Sequence, residues 1–125
     1  MAKENNTKAD PRVKDIHGFY SAVFNKLFGF NPSLRYPITG SMLKKLLVDF
    51  TQWQIQVMIL IHFNWRGMEG NDEWAFKKLR DRSFPLEWLH FSVNSYQAYA
   101  RNVLGLNFDD DKSLQEYVHN YVKSI

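Results

Sequence analysis

An uninterrupted apolar run at residues 57–61, with the sequence VMILI, limits the fold more than any other stretch of this chain. Thr51 and Gln54 precede the run with the spacing of a capping box, which satisfies two backbone N–H groups at the start of a helix. A buried strand is the alternative for so short a run, but the cap and the polar positions Gln52, Gln54 and Gln56 favour a helix over about residues 52–65. Because this helix is apolar on almost every side, we predict that it is central and the most buried.

The remaining apolar residues recur at spacings of three and four, which is typical of amphipathic helices. Asp10 and Pro11 indicate a helix start, and Gly29 indicates its end. Further helices are predicted over 41–49, 72–82 and 86–104, and after the acidic run at 109–111. Residues 30–37 are predicted to form a loop, and Gly105 to end the helix before it. Ser113 and Glu116 have the spacing of a second capping box.

These elements predict an all-α fold, a compact orthogonal bundle of five or six helices. The chain has 125 residues, and 16% of them are aromatic. This is enough for one well-packed core and excludes a mostly disordered chain. We expect residues 1–9 to form a flexible basic tail and residues 10–125 to form a single helical domain.

Several function classes lack their sequence signals. The chain has no cysteine, which excludes disulfides, thiolate metal sites and cysteine nucleophiles. It has no apolar run of about 18 residues, as a membrane span requires, and no signal-peptide pattern at residues 1–6. A cytoplasmic location without membrane association is therefore the expectation.

Enzyme signatures are also missing, including the phosphate-binding glycine loops and the metalloprotease and hydrolase motifs. The four histidines, His17, His62, His90 and His119, fall in four different predicted helices without ligand spacing. The acidic run at 109–111 is better explained by the dipole of a following helix than by a cation. We therefore predict no catalytic residue, no metal site and no cofactor.

Positive charge is concentrated in one predicted helix. The net charge is +3, and Lys77, Lys78, Arg80 and Arg82 lie together among aromatic residues. Such a stripe can contact nucleic-acid phosphates while an aromatic ring stacks on a base. Lys44 and Lys45 are expected to extend this basic face. The partner would be DNA, with single and double strands both open, and the alternative for the stripe is an ordinary solvated surface.

The pair 41–49 and 52–65 resembles a helix-turn-helix in outline. However, its second helix is too apolar to lie in a major groove, so we exclude it as a recognition helix.

The aromatic excess supports a different function, a protein interface. Exposed tryptophan and tyrosine residues are typical anchors of such interfaces. Trp65, Trp74, Trp88 and Tyr36 are the candidates, and they could also form a homodimer. The partner would then be a host replication, transcription or defence protein.

Several apolar and turn positions carry a resemblance to a known group of proteins: Phe28-Gly29, Pro32, Leu43, Leu46-Leu47, Phe63, Ser83-Phe84, Trp88 and Asn94. Over about residues 16–100 the chain resembles a small helical domain of phage and plasmid replication-module proteins, of the replication-initiator or helicase-loader kind. The resemblance implies a non-enzymatic accessory role in phage-type DNA replication and carries over no catalytic residue. The winged-helix part that often accompanies such domains is absent from this sequence.

Overall fold

A computed structural model describes residues 10–64 and 86–125. The α-helices in these ranges are α1 (Pro11–Phe28), α2 (Tyr36–Asp49), α3 (Gln52–Asn64), α4 (Val93–Asn102) and α5 (Asp111–Ser124), with a 3₁₀ helix (Leu86–Ser92) directly before α4. The described ranges contain no strand, and the helices pack against one another. The all-α bundle predicted from the sequence is therefore confirmed.

Helix α3 occupies the centre of the core. Every residue from Ile55 to Phe63 is buried, and α3 contacts α1, α2, α4, α5 and the 3₁₀ helix. A helix surrounded in this way has no solvent face, which explains why residues 57–61 need no polar side chain. The prediction of a central helix near residues 52–65 is confirmed.

The start of α3 is a capping box that also joins two distant parts of the chain. The Thr51 amide donates to Gln54 Oε1 at 2.8 Å, and the Gln54 amide donates to Thr51 Oγ1 at 3.2 Å. The Thr51 hydroxyl donates to Asp111 Oδ1 at 2.7 Å, and Gln54 Nε2 donates to the Phe108 carbonyl at 2.7 Å. The beginnings of α3 and α5 are thereby held together.

Helix α1 begins and ends as its sequence predicts. Asp10 accepts a hydrogen bond from the Arg12 amide at 2.9 Å, and Pro11 occupies the first turn. Gly29 adopts the left-handed conformation with φ 83°, which glycine reaches without a steric penalty. Its amide donates to the Asn25 carbonyl at 2.8 Å. Local signals therefore define both ends of this helix.

Helix α2 begins at Tyr36, so the prediction of a loop over residues 30–37 and a helix from 41 is wrong at this boundary. Pro37 lies in the first turn, where a residue without an N–H leaves no helical hydrogen bond unmade. The Ile38 and Thr39 amides both donate to the Arg35 carbonyl, at 2.9 and 3.0 Å. The proline starts this helix instead of prolonging the loop.

The predicted helix over 86–104 is divided. Leu86 and Leu89 are both buried, and the 3.0-residue turn of a 3₁₀ helix places residues three apart on one face. Helix α4 then ends at Asn102, before Gly105 with φ 67°. Val103 lies directly after the end of α4 and is 63% exposed.

The start of α5 differs from the predicted Ser113–Glu116 box. Asp110 is the capping residue, because its carboxylate accepts from the Lys112 amide at 3.2 Å. The Ser113 hydroxyl donates to the same carboxylate at 2.8 Å and is therefore engaged. The expected carboxylate cap is confirmed, with the helix starting at Asp111.

The predicted tail at residues 1–9 and the predicted helix at 72–82 lie outside the described residues. Within the part of the chain that the structure describes, no helix is both long and apolar enough to span a bilayer.

Candidate functional site between the first two helices

An open groove of about 810 Å³ lies between α1 and α2. We call it the α1–α2 groove. Among the residues that line it are Lys14, His17, Gly18, Tyr36, Gly40 and Lys44. His17 and Gly18 follow Lys14 by three and four residues, and Tyr36, Gly40 and Lys44 are four residues apart, which places each set on one face of its helix. Small residues between the lysines leave the space open, and a Cβ atom added at Gly18 would meet nothing within 4 Å.

His17 forms the polar floor of the groove. Its Nε2 lies 2.7 Å from Thr39 Oγ1, and the Tyr36 ring meets the His17 ring edge-on, with centroids 4.9 Å apart and an 84° angle. Burial lowers the pKa of His17 below its ordinary value of 6.5, because burial disfavours the charged form. His17 is therefore neutral at pH 7.

The lowered pKa of His17 predicts an acid-sensitive contribution to stability. In the unfolded chain His17 takes up a proton more readily, so this contribution is complete above pH 6.5 and is lost as the pH falls through the lower folded-state pKa. Between about pH 7.5 and pH 5.5, we expect His17→Gln to lose less unfolding free energy than the unchanged protein, measured by urea unfolding. An equal loss in both proteins would contradict this assignment.

Lys14 and Lys44 supply the charge of the groove. Both are exposed, and no acidic residue among those described lines the groove. The nearby Asp10 carboxylate is already engaged, because Arg12 Nη2 lies 2.8 Å from its Oδ2. Hydrogen bonding to Arg12 is the main reason that the pKa of Asp10 is lowered, and the charge of Lys44 contributes less. The two lysines therefore offer positive charge to an external anion.

Lys44 and Lys45 line two adjoining spaces, which share Pro37 and Ser41. Lys44 lines the α1–α2 groove, whereas Lys45 lines a second cavity of about 630 Å³ together with Ile38 and His90. We call this second space the α2–3₁₀ cavity. The stripe predicted at residues 77–82 lies outside the described residues, so the expectation that both lysines extend that stripe stays a prediction.

The aromatic candidates are placed as follows. Tyr36 is the first residue of α2 and lines the groove, with 57% of its surface exposed. Trp88 belongs to the 3₁₀ helix. The other predicted site residues lie outside the described residues: Trp65, Trp74, Lys77, Lys78, Arg80 and Arg82.

Sequence reasoning missed Lys14, His17 and Gly18 as site residues. A usable signal was present, since both helices carry small residues and a lysine at helical spacing, but that pattern does not show that the two faces meet. Across residues 10–64 and 86–125, no group of three or more potential ligands could hold a metal ion.

The histidines of the core have structural partners. His17 bonds Thr39, and His62 Nδ1 lies 2.7 Å from the Tyr96 hydroxyl. Both pairs satisfy polar atoms in buried surroundings. The chemistry that the groove offers is binding: two ammonium groups, an exposed aromatic ring and an imidazole.

No protein-family model, curated protein or solved structure matches this chain.

Proposed function

We propose that this protein binds nucleic acid as a non-enzymatic accessory protein, with Lys14 and Lys44 contacting phosphates. One observation carries the proposal: lysines from two separate helices line the same groove, and no acidic residue among those described lines it. Lysine binds phosphate as a point charge, and this electrostatic contribution to affinity does not depend on the base sequence of the nucleic acid. Lys45 would add a contact from the α2–3₁₀ cavity, and the stripe predicted at residues 77–82 would add further phosphate contacts.

The resemblance over residues 16–100 supports placing this binding in a phage-type replication module in the cytoplasm. An accessory role needs DNA contact without catalysis. The groove suits that role because it combines charge with an open apolar surface.

Charge reversal in the groove should weaken binding and reduce its dependence on salt. The test is fluorescence anisotropy of labelled single- and double-stranded DNA at about 50 and 200 mM salt. Losing two phosphate contacts should make the log–log salt slope shallower by about 1.4 for single strands and about 1.8 for duplexes. We therefore expect Lys14→Glu/Lys44→Glu to bind more weakly, with that smaller slope.

A control with the same change in net charge is Lys26→Glu/Lys112→Glu. Both of these lysines are exposed, and neither lines the α1–α2 groove. If this control weakens binding as much as the groove variant, general charge and not the groove is responsible. Lys78→Glu/Arg82→Glu in the same titration tests the predicted stripe. If the unchanged protein does not bind at the lower salt, the proposal fails.

A second candidate function is a protein interface at the α2–3₁₀ cavity. Ile38 lines this cavity and is 47% exposed, and Phe91 of the adjoining 3₁₀ helix is 76% exposed. Exposed apolar side chains of this size are common in interfaces. If they join two copies, sedimentation should show a concentration-dependent dimer that Phe91→Ser abolishes. A monomer at all concentrations would leave only a replication or host protein as partner.

A further inference from the structure

We infer that the α1–α2 groove holds an unpaired nucleobase against Tyr36, while Lys14 and Lys44 hold the adjoining phosphates. This inference rests on the proposed function and defines its ligand as single-stranded. It assigns a role to the apolar part of the groove, which phosphate binding alone leaves unused.

The dimensions of the groove suit a base with its sugar and phosphate. Its volume of about 810 Å³ lies within the range of about 300–1,000 Å³ that is usual for small-ligand sites. The walls between the lysines are short because Gly18 and Gly40 face the space from opposite helices. A flat ring can therefore enter without displacing a side chain at Gly18.

Tyr36 provides a positioned stacking surface. It is 57% exposed, yet its edge-on contact with His17 restricts the orientation of the ring. A ring that is already oriented loses less conformational entropy when a ligand binds. Base stacking on an aromatic side chain tolerates any base, because every base has a π face.

His17 provides a polar contact for the edge of a base. Its Nε2 is engaged with Thr39, whereas Nδ1 has no hydrogen-bond partner among the described residues. No buried polar side-chain atom in these ranges lacks a partner, so Nδ1 keeps some contact with solvent, and His17 lines the groove. The Thr39 hydroxyl donates to the Arg35 carbonyl at 3.3 Å and can accept the Nε2 proton, which leaves Nδ1 as an acceptor for a base N–H.

A duplex cannot present its bases in this way. In a double helix both faces of each base are covered by stacking, and removing a base from the stack requires free energy. In a single strand the bases can be splayed out at much lower cost. The arrangement of ring, imidazole and lysines therefore favours single-stranded nucleic acid over a duplex.

The test compares three fluorescent ten-nucleotide ligands: thymidine single strand, a single strand of abasic sites with the same phosphates, and duplex. We expect the unchanged protein to bind the thymidine strand about 5- to 150-fold more tightly than the abasic strand, from one stacked base. Tyr36→Ala should remove this difference and leave abasic binding unchanged. Tyr36→Phe, which keeps the ring, should restore it.

Two further variants separate the base from the phosphates. Gly18→Leu fills the groove without changing charge and should also remove the preference for the thymidine strand. Lys14→Glu/Lys44→Glu should weaken the thymidine and abasic strands by the same factor. Val103→Ala, which shortens an exposed apolar side chain outside the groove, is the matched control and should change neither. Thermal unfolding of each variant checks that the fold is retained.

Equal, salt-sensitive binding of thymidine and abasic strands would overturn the base site and leave the proposed function standing. If none of the oligonucleotides binds in a salt-sensitive way, both the base site and the proposed function are wrong. Binding of an acidic decapeptide without any oligonucleotide binding would also overturn both, in favour of a protein partner. If Tyr36→Ala and Val103→Ala lower the preference equally, Tyr36 has no specific role and the base site is wrong.

Discussion

Phe24→Ala should lower the free energy of unfolding by about 3–5 kcal/mol. Phe24 is fully buried. Its ring centroid lies 4.7 Å from that of Phe28, 5.3 Å from Phe30, 5.9 Å from Tyr20 and 6.2 Å from Phe63. Removing the ring therefore leaves a cavity at the contact of α1 with α3 and also breaks several aromatic pairs. A loss of this size is a large part of the 5–15 kcal/mol that is typical of a small domain.

Urea unfolding followed by circular dichroism measures this loss, with Phe91→Ala as the control. Phe91 is 76% exposed, so its removal should change stability by less than about 0.5 kcal/mol. Similar losses of unfolding free energy in the two variants would show that the neighbouring aromatic rings do not pack tightly around Phe24.

Alanine substitution at either of two neighbouring positions of α3 should lower the free energy of unfolding substantially. Met58 and Ile59 are fully buried but point about 100° apart around the helix. An amphipathic helix can bury one such pair, but in α3 every residue from Ile55 to Phe63 is buried, so no side of this stretch faces solvent. Because α3 is surrounded by other helices, we expect Met58→Ala and Ile59→Ala each to lose about 2–5 kcal/mol of unfolding free energy.

Helix α5 supplies the contrasting pair. Leu114 is fully buried and Gln115 is exposed. Leu114→Ala should lose about 2–5 kcal/mol, whereas Gln115→Ala should stay within about 0.5 kcal/mol. If Met58→Ala or Ile59→Ala behaves like Gln115→Ala, one side of α3 faces solvent and the central position of this helix is wrong.

The sequence predicted those features that depend on neighbouring residues. Three such features involve contacts within four residues: the cap at Asp10, the left-handed Gly29 and the Thr51–Gln54 box. Their patterns can therefore be recognised in the sequence alone. The start of α2 was misplaced because Pro37 suits both a loop and the first turn of a helix. Local chemistry alone does not choose between these two conformations.

Contacts between distant residues were not predictable in the same way. Nothing near Thr51 shows that its hydroxyl meets Asp111, which is 60 positions away. The α1–α2 groove likewise depends on two helix faces meeting, and the sequence shows each face separately. Tyr36 and Lys44 were recognised by their side-chain types, whereas Lys14 and Gly18 acquire significance only from their position opposite α2.

The location of α3 among partners from both ends of the described chain affects how the protein is made. Translation adds about 5–20 residues per second, so the 60 residues between Asn64 and Ser124 take about 3–12 s to synthesise. During this interval the apolar surface that α4 and α5 later cover is still exposed on the nascent polypeptide. Chaperone binding and aggregation both act on such surfaces. The yield of folded protein in the cell should therefore depend on how fast the second half of the chain is translated.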